Sequence, residues 1–152
     1  MLPKYHFLFG FVFALILYLV FHPNFFSLAI IFLSSILIDV DHYLYYIFNK
    51  KSLSLRKTYK FFTESEIKWF DMPIKEREKY KRITFYFHGI EFFLPLFLLA
   101  LLSNLFFWIF LGCFFHLFID LIEFSFYNEP FYSKTSQIYV YITNKKKKEL
   151  VG

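Results

Sequence analysis

Residues 5–48 and 83–127 of this 152-residue chain contain no lysine and no arginine. Other absences narrow the field further. A single cysteine, Cys113, excludes a disulfide scaffold. Four glycines and five prolines exclude collagen-like and Gly/Pro-rich repeats. Charged residues make up only 19% of the chain, against about a quarter in ordinary soluble domains. What fills the space is apolar: 58% hydrophobic residues, with 26 Phe and 12 Tyr. That composition excludes disorder. It also supplies more apolar surface than one small water-surrounded core can bury.

Each cation-free block of about 45 residues is roughly twice the ~20 residues that a membrane-spanning helix needs. Each is interrupted near its middle, by His22-Pro23-Asn24 and by Ser103-Asn104. The pattern predicts an all-α fold, a four-helix transmembrane bundle in a single integral membrane domain (1–152). Its spans lie near 5–22, 24–48, 83–102 and 104–127. A basic loop or helix (49–82) joins spans 2 and 3, and a short basic tail (128–152) follows span 4. Helices are expected because lipid leaves backbone groups no other partner. With four spans, both termini and the 49–82 loop share one face, and all 17 Lys and Arg lie there. The positive-inside rule makes that face cytoplasmic, in a multi-pass protein of the inner or plasma membrane. The first span lacks a small-residue cleavage site and reads as an uncleaved span rather than a signal peptide.

Loop 49–82 interleaves basic residues with Tyr59, Phe61, Phe62, Trp69 and Phe70. It reads either as a segment lying on anionic headgroups or as a solvated basic connector. Asp71 to Arg82 is expected to be helical, opened by Asp71 with Pro73 in its first turn. In the tail, Gln137 to Thr143 is β-prone. Lys145–Lys148 are expected to anchor to anionic lipid; no recognition motif points to nucleic acid.

The acids and imidazoles inside the spans carry the chemistry. An ionisable group deep in a span costs about 2.5–3.5 kcal/mol on insertion scales, which makes it a functional candidate. Counted along the helices, His6, Asp39, His42, His88, His116 and Asp120 lie roughly 18–27 Å from the non-cytoplasmic face, and Glu91 about 17 Å. Four helices thus deliver ligand-type groups to one cytoplasmic layer. Asp39/His42 and His88/Glu91 are i,i+3 pairs and His116/Asp120 is an i,i+4 pair, so each pair shares a helix face. Asp41 points elsewhere but can reach a ligating His or a second metal. No base in the spans neutralises these acids, and a cation is the physical solution. Imidazole with carboxylate suits Zn²⁺ first, with Mn²⁺, Fe²⁺ or Ni²⁺ as alternatives. Eight groups (His6, Asp39, Asp41, His42, His88, Glu91, His116, Asp120) suffice for one or two ions. His22, in the opposite turn, serves as a control with no expected role.

The order Tyr5-His6-Phe7-Leu8-Phe9-Gly10, Asp39-x-Asp41-His42, a His opening the third span, and His116-x-x-x-Asp120 resembles the membrane-bound metal-dependent hydrolases. These small inner-membrane proteins are also labelled LexA-binding, inner-membrane-associated hydrolases. The resemblance leaves out the loop and the tail. That family often carries H-R-G-x-x-H ahead of the third span; here Ile83 stands where its first His is expected. The resemblance therefore implies that Glu91 substitutes as a ligand, or that fewer metals are held.

The expected function is an integral-membrane, metal-dependent hydrolase, with a metal-activated water attacking an ester or phosphoester of a lipid-borne substrate. Glu91, as general base if it does not ligate, and Asp41 are the candidate catalytic carboxylates. Two readings compete. A metal or ion transporter needs a polar path from both faces; a non-catalytic scaffold needs only a closed metal tie between helices.

Overall fold

The computed structural model describes residues 3–150 and is helical, with no strand among the described residues. The helices are α1 (Pro3–Phe21), α2 (Phe25–Leu37), α3 (Val40–Lys50), α4 (Leu55–Asp71), α5 (Ile74–Arg77), α6 (Ile90–Leu102), α7 (Asn104–Phe126), α8 (Tyr132–Thr135) and α9 (Gln137–Asn144). α2 and α7 form the central pair, with α1 packed on α2 and α6 packed on α7.

Close approach of these helices depends on small residues. Gly10 of α1 faces Ser35 of α2, and Gly112 of α7 faces Ser34 and the Ile31 carbonyl of α2. Gly, Ala and Ser at helix contacts let backbones meet where hydrophobic burial offers no drive. The turn between α1 and α2 runs through His22, at φ 49°, and ends on Asn24, whose side chain accepts from the Ser27 N–H at 2.9 Å.

The burial pattern is that of a protein turned inside out. Among the described residues, the buried set holds thirteen polar or charged side chains and only seven hydrophobic ones. The exterior carries Phe25 at 85% exposure, Leu102 at 83% and Phe21 at 72%. A water-soluble domain buries such side chains. Three helical stretches, Lys4–Phe21, Phe25–Lys50 and Asn104–Phe126, are long and apolar enough to cross a membrane.

Four local expectations are corrected. The second stretch is not one continuous helix: it breaks at Ile38-Asp39, between α2 and α3. The third expected span starts at Ile90 rather than 83, because residues 83–89 are irregular. Its 13 residues reach only about 20 Å, short of the ~30 Å hydrocarbon layer. Asp71 ends a long helix instead of opening one. The helix is α4, capped by Ser54, and Asp71–Arg82 holds only the single turn α5. The β-prone run 137–143 is helix α9; Ser136 caps it, and nothing offers it a strand partner.

Loop and tail also fold onto the bundle rather than into solvent. The buried Glu129 carboxylate is held by Arg77 at 2.9 Å, Arg82 at 3.1 Å and the Trp69 indole N–H at 2.8 Å. Arg77 spends its other donors on the carbonyls of Phe70, Met72 and Tyr127. These two arginines are therefore not part of a solvated connector. Lys148 is tied back by backbone hydrogen bonds to Lys79 and Lys81.

Candidate metal centre

The two irregular segments lie where the buried imidazoles and carboxylates meet. At the α2–α3 break the Asp39 N–H bonds to the Ile36 carbonyl instead of Ser35, one residue short of helical register. The Ser35 carbonyl, so released, accepts from Nδ1 of His116 at 2.7 Å. Asp39 makes no side-chain capping bond to α3, which leaves its carboxylate to the centre. In the 83–89 segment the Phe87 N–H donates to Asp41 Oδ2 at 3.1 Å, and the Phe85 N–H to the Gln137 side chain at 2.9 Å. Backbone groups freed from a helix and buried must find partners within the protein, and here they find site residues.

These contacts orient two imidazoles and place a proton on one nitrogen of each. The Ser35 carbonyl can only accept, so His116 carries its proton on Nδ1. Asp41 Oδ2 accepts from His88 Nδ1 at 3.0 Å, which places the His88 proton there. Both Nε2 atoms are thereby turned toward the centre, and they face each other at 3.3 Å. Asp39 Oδ1 lies 3.4 Å from each, and Asp120 Oδ2 lies 3.8 and 3.6 Å from the His88 and His116 nitrogens. Ligands held tetrahedrally at 2.0–2.1 Å from one ion are about 3.3–3.4 Å apart. Nitrogens and carboxylate oxygens gathered at these separations need positive charge among them, which ring protons or a metal ion supply. The donor set therefore fits a metal ion.

The remaining ligand-type groups extend this cluster. His6 Nε2 is 3.3 Å from Asp120 Oδ1, and its ring stacks on His116 at 3.8 Å. His42 Nδ1 lies 2.9 Å from Asp41 Oδ1 and 3.3 Å from Asp39 Oδ1. Three overlapping sets of possible ligands result: Asp39, Asp41, His42 and His88; His6, Asp39 and His116; and His88, His116 and Asp120. These buried His/Asp clusters are able to bind a metal ion. Seven of the eight expected residues are brought together.

Glu91 is not among them. With residues 83–89 unwound, the expected i,i+3 pairing with His88 does not form. Its carboxylate instead accepts from the Ser136 hydroxyl at 2.7 Å and from the Gln137 and Ile138 N–H groups, at the start of α9. The centre also contains a base that the sequence reading missed. Lys134, from α8, places its ammonium 2.6 Å from Asp120 Oδ2 in a buried position. Burial alone would lower its pKa, but the carboxylates of Asp120, Asp39 and Asp41 raise it above the usual lysine value. Lys134 is a standing cation at neutral pH. The expectation that no base neutralises the acids is thereby corrected. Nothing marked Lys134 in advance; it is one lysine in a tail with several others.

The centre is closed on one side and open on the other. His6, Asp41, His88, His116 and Asp120 are buried, whereas the Asp39 and His42 side chains are 19% and 25% exposed. Both line a cleft of about 1560 Å³, larger than the ~300–1,000 Å³ usual for small-molecule sites. Tyr45, Phe62 and Phe85 form part of its wall, and Lys134 opens onto it. Comparison with family models, with curated proteins and with solved structures returns no match. The functional reading therefore rests on this geometry.

Proposed function

We propose that the protein is an integral-membrane, metal-dependent hydrolase acting on a phosphoester or ester of a lipid-borne substrate. The observation that carries the reading is the pair of Nε2 atoms of His88 and His116, facing each other beside Asp39 and Asp120 and next to an open cleft. Zn²⁺ is the first choice of ion, since two imidazoles and carboxylates at these separations suit it. The resemblance to membrane-bound metal-dependent hydrolases points the same way.

A bound divalent cation supplies Lewis acidity to a water and to the substrate's phosphoryl or carbonyl oxygen. The protein's own groups do the rest. Ser35 and Asp41 hold His116 and His88 in the tautomer and orientation that ligation needs. Asp41, with both oxygens engaged and little exposure, is a positioning residue. His42 stands between the centre and the cleft, stacked on Phe85 at 3.8 Å and fixed through Nδ1. It is placed to exchange a proton with a substrate there. The cleft's aromatic wall, with Lys81, Arg82 and Lys145 also lining it, suits an amphiphile with an anionic head and an apolar chain.

In this reading α6, lengthened by residues 83–89, is the fourth crossing. The termini and α4 are cytoplasmic, and Lys145–Lys148 meet anionic headgroups. The irregular 83–89 segment is tolerated at that depth because it lines the site.

The test is elemental analysis of detergent-purified protein, wild type against His116→Ala, with hydrolysis of lipid phosphoesters measured on the same samples. The expected result is loss of metal and activity together in the variant. Full metal content in His116→Ala would overturn the ligand assignment, and metal without turnover on any lipid ester would leave a scaffold.

A further inference from the structure

We infer that Lys134 is a built-in cation of this centre, standing where a second metal ion would otherwise stand, so that the site holds one divalent ion. The inference deepens the metal-dependent reading above and rests on it.

The first argument is charge. Three carboxylates, Asp39, Asp41 and Asp120, meet in the cluster. Among the described residues, Lys134 is the Lys or Arg that forms an ion pair with any of them. The ammonium supplies one positive charge to these carboxylates, and a divalent ion supplies two more. A second divalent ion at the Asp120 oxygen would meet the buried Lys134 ammonium at close range, and like charges brought together there are strongly disfavoured.

The second argument is position. The ammonium contacts Asp120 Oδ2, the oxygen that also faces His88 and His116 at 3.8 and 3.6 Å. It thus occupies the Asp120 end of the cluster, while Asp39, His88 and His116 leave the other end to a metal.

The third argument is that the placement is built. Upstream, the Glu129 carboxylate is clamped by Arg77, Arg82 and Trp69. Downstream, Glu91 receives Ser136 and the first N–H groups of α9. The Lys134 carbonyl accepts from Gln137 at 3.3 Å, and the ammonium lies 5.5 Å from the ring centres of both Phe85 and Phe124. A lysine free to choose would keep its ammonium in water. This one is held in the interior from both sides.

The experiment strips the full-length protein in detergent with a chelator and titrates it with Co²⁺ and with Zn²⁺. Bound equivalents are counted by elemental analysis after gel filtration, and the Co²⁺ spectrum reports the ligand environment. Wild type is expected to saturate at one equivalent, Lys134→Arg at one, and Lys134→Met at two. Two equivalents in wild type overturn the inference, whether or not Lys134→Met folds. One equivalent in both wild type and a folded Lys134→Met also overturns it, because removing the ammonium would then have opened no cation position. No metal in wild type overturns the metal-dependent reading itself, a result distinct from either.

Discussion

Asp41 shows how little freedom the site leaves a single side chain. One oxygen faces His42 Nδ1, and the other accepts from His88 Nδ1 and the Phe87 N–H. An amide of the same shape can accept through only one of its two ends. Asp41→Asn is therefore expected to keep the fold and to weaken metal affinity about 10- to 100-fold, the usual range for partners that orient a ligand. Competition with a chromophoric chelator measures it. Glu91 makes the opposite case. Glu91→Ala should leave the metal content unchanged while freeing the start of α9, read as faster proteolysis between residues 136 and 144. Seven ligand-type residues were legible in the sequence because an acid or imidazole in an apolar span has few other reasons to be there. Glu91 was misread because the i,i+3 rule holds only within a helix, and residues 83–89 give up their helical bonds to Asp41 and Gln137. Lys134 was illegible for the reverse reason: a lysine in a basic tail is unremarkable until the fold buries it.

Among the elements, the α2–α7 contact sets the spacing of the whole centre, since it carries both Ser35 and His116. A Cβ on Gly112 would run into the Ile31 backbone carbonyl, which cannot move without α2, whereas one on Gly10 would meet chiefly the Ser35 hydroxyl. Gly112→Ala is expected to destabilise the protein by about 1–3 kcal/mol, the usual cost of overpacking, and Gly10→Ala by less. Thermal unfolding in detergent, followed by circular dichroism, ranks the two. The break between α2 and α3 was invisible beforehand because Ile38-Asp39-Val40-Asp41 contains neither Gly nor Pro. Its reason is tertiary: the turn costs one helical bond, and the released Ser35 carbonyl is taken up by His116. α9 is a similar case. Its β-branched and aromatic residues favour strands, but with no neighbouring edge and with Ser136 and Glu91 at its start the helix prevails.

For the whole molecule, the distribution of cations makes a claim about sidedness. In the proposed topology α4 is cytoplasmic and the α1–α2 turn lies on the far side. Cys113 is buried, so introduced cysteines can be read against a quiet background. Lys68→Cys is expected to react with an impermeant maleimide only from the cytoplasmic side, and His22→Cys only from the other. Labelling of both from one side would remove the even number of crossings. The three long apolar stretches were legible from hydropathy alone. The short α6 was not, because the residues before it form an irregular segment that lines the site instead of continuing the helix.

The burial of Lys134 bears on how the protein is made. Every candidate metal ligand lies at or before Asp120, but the ammonium that neutralises Asp120 comes fourteen residues later, beyond the last long apolar helix. In the proposed topology the spans therefore leave the ribosome before Lys134 does, and the segment that carries its ammonium joins the acids only after them. A chain ended at Asn128 would carry all seven ligand-type residues yet lack the Lys134 ammonium that meets Asp120. Assembly of the centre thus waits on a segment made after the last long apolar helix.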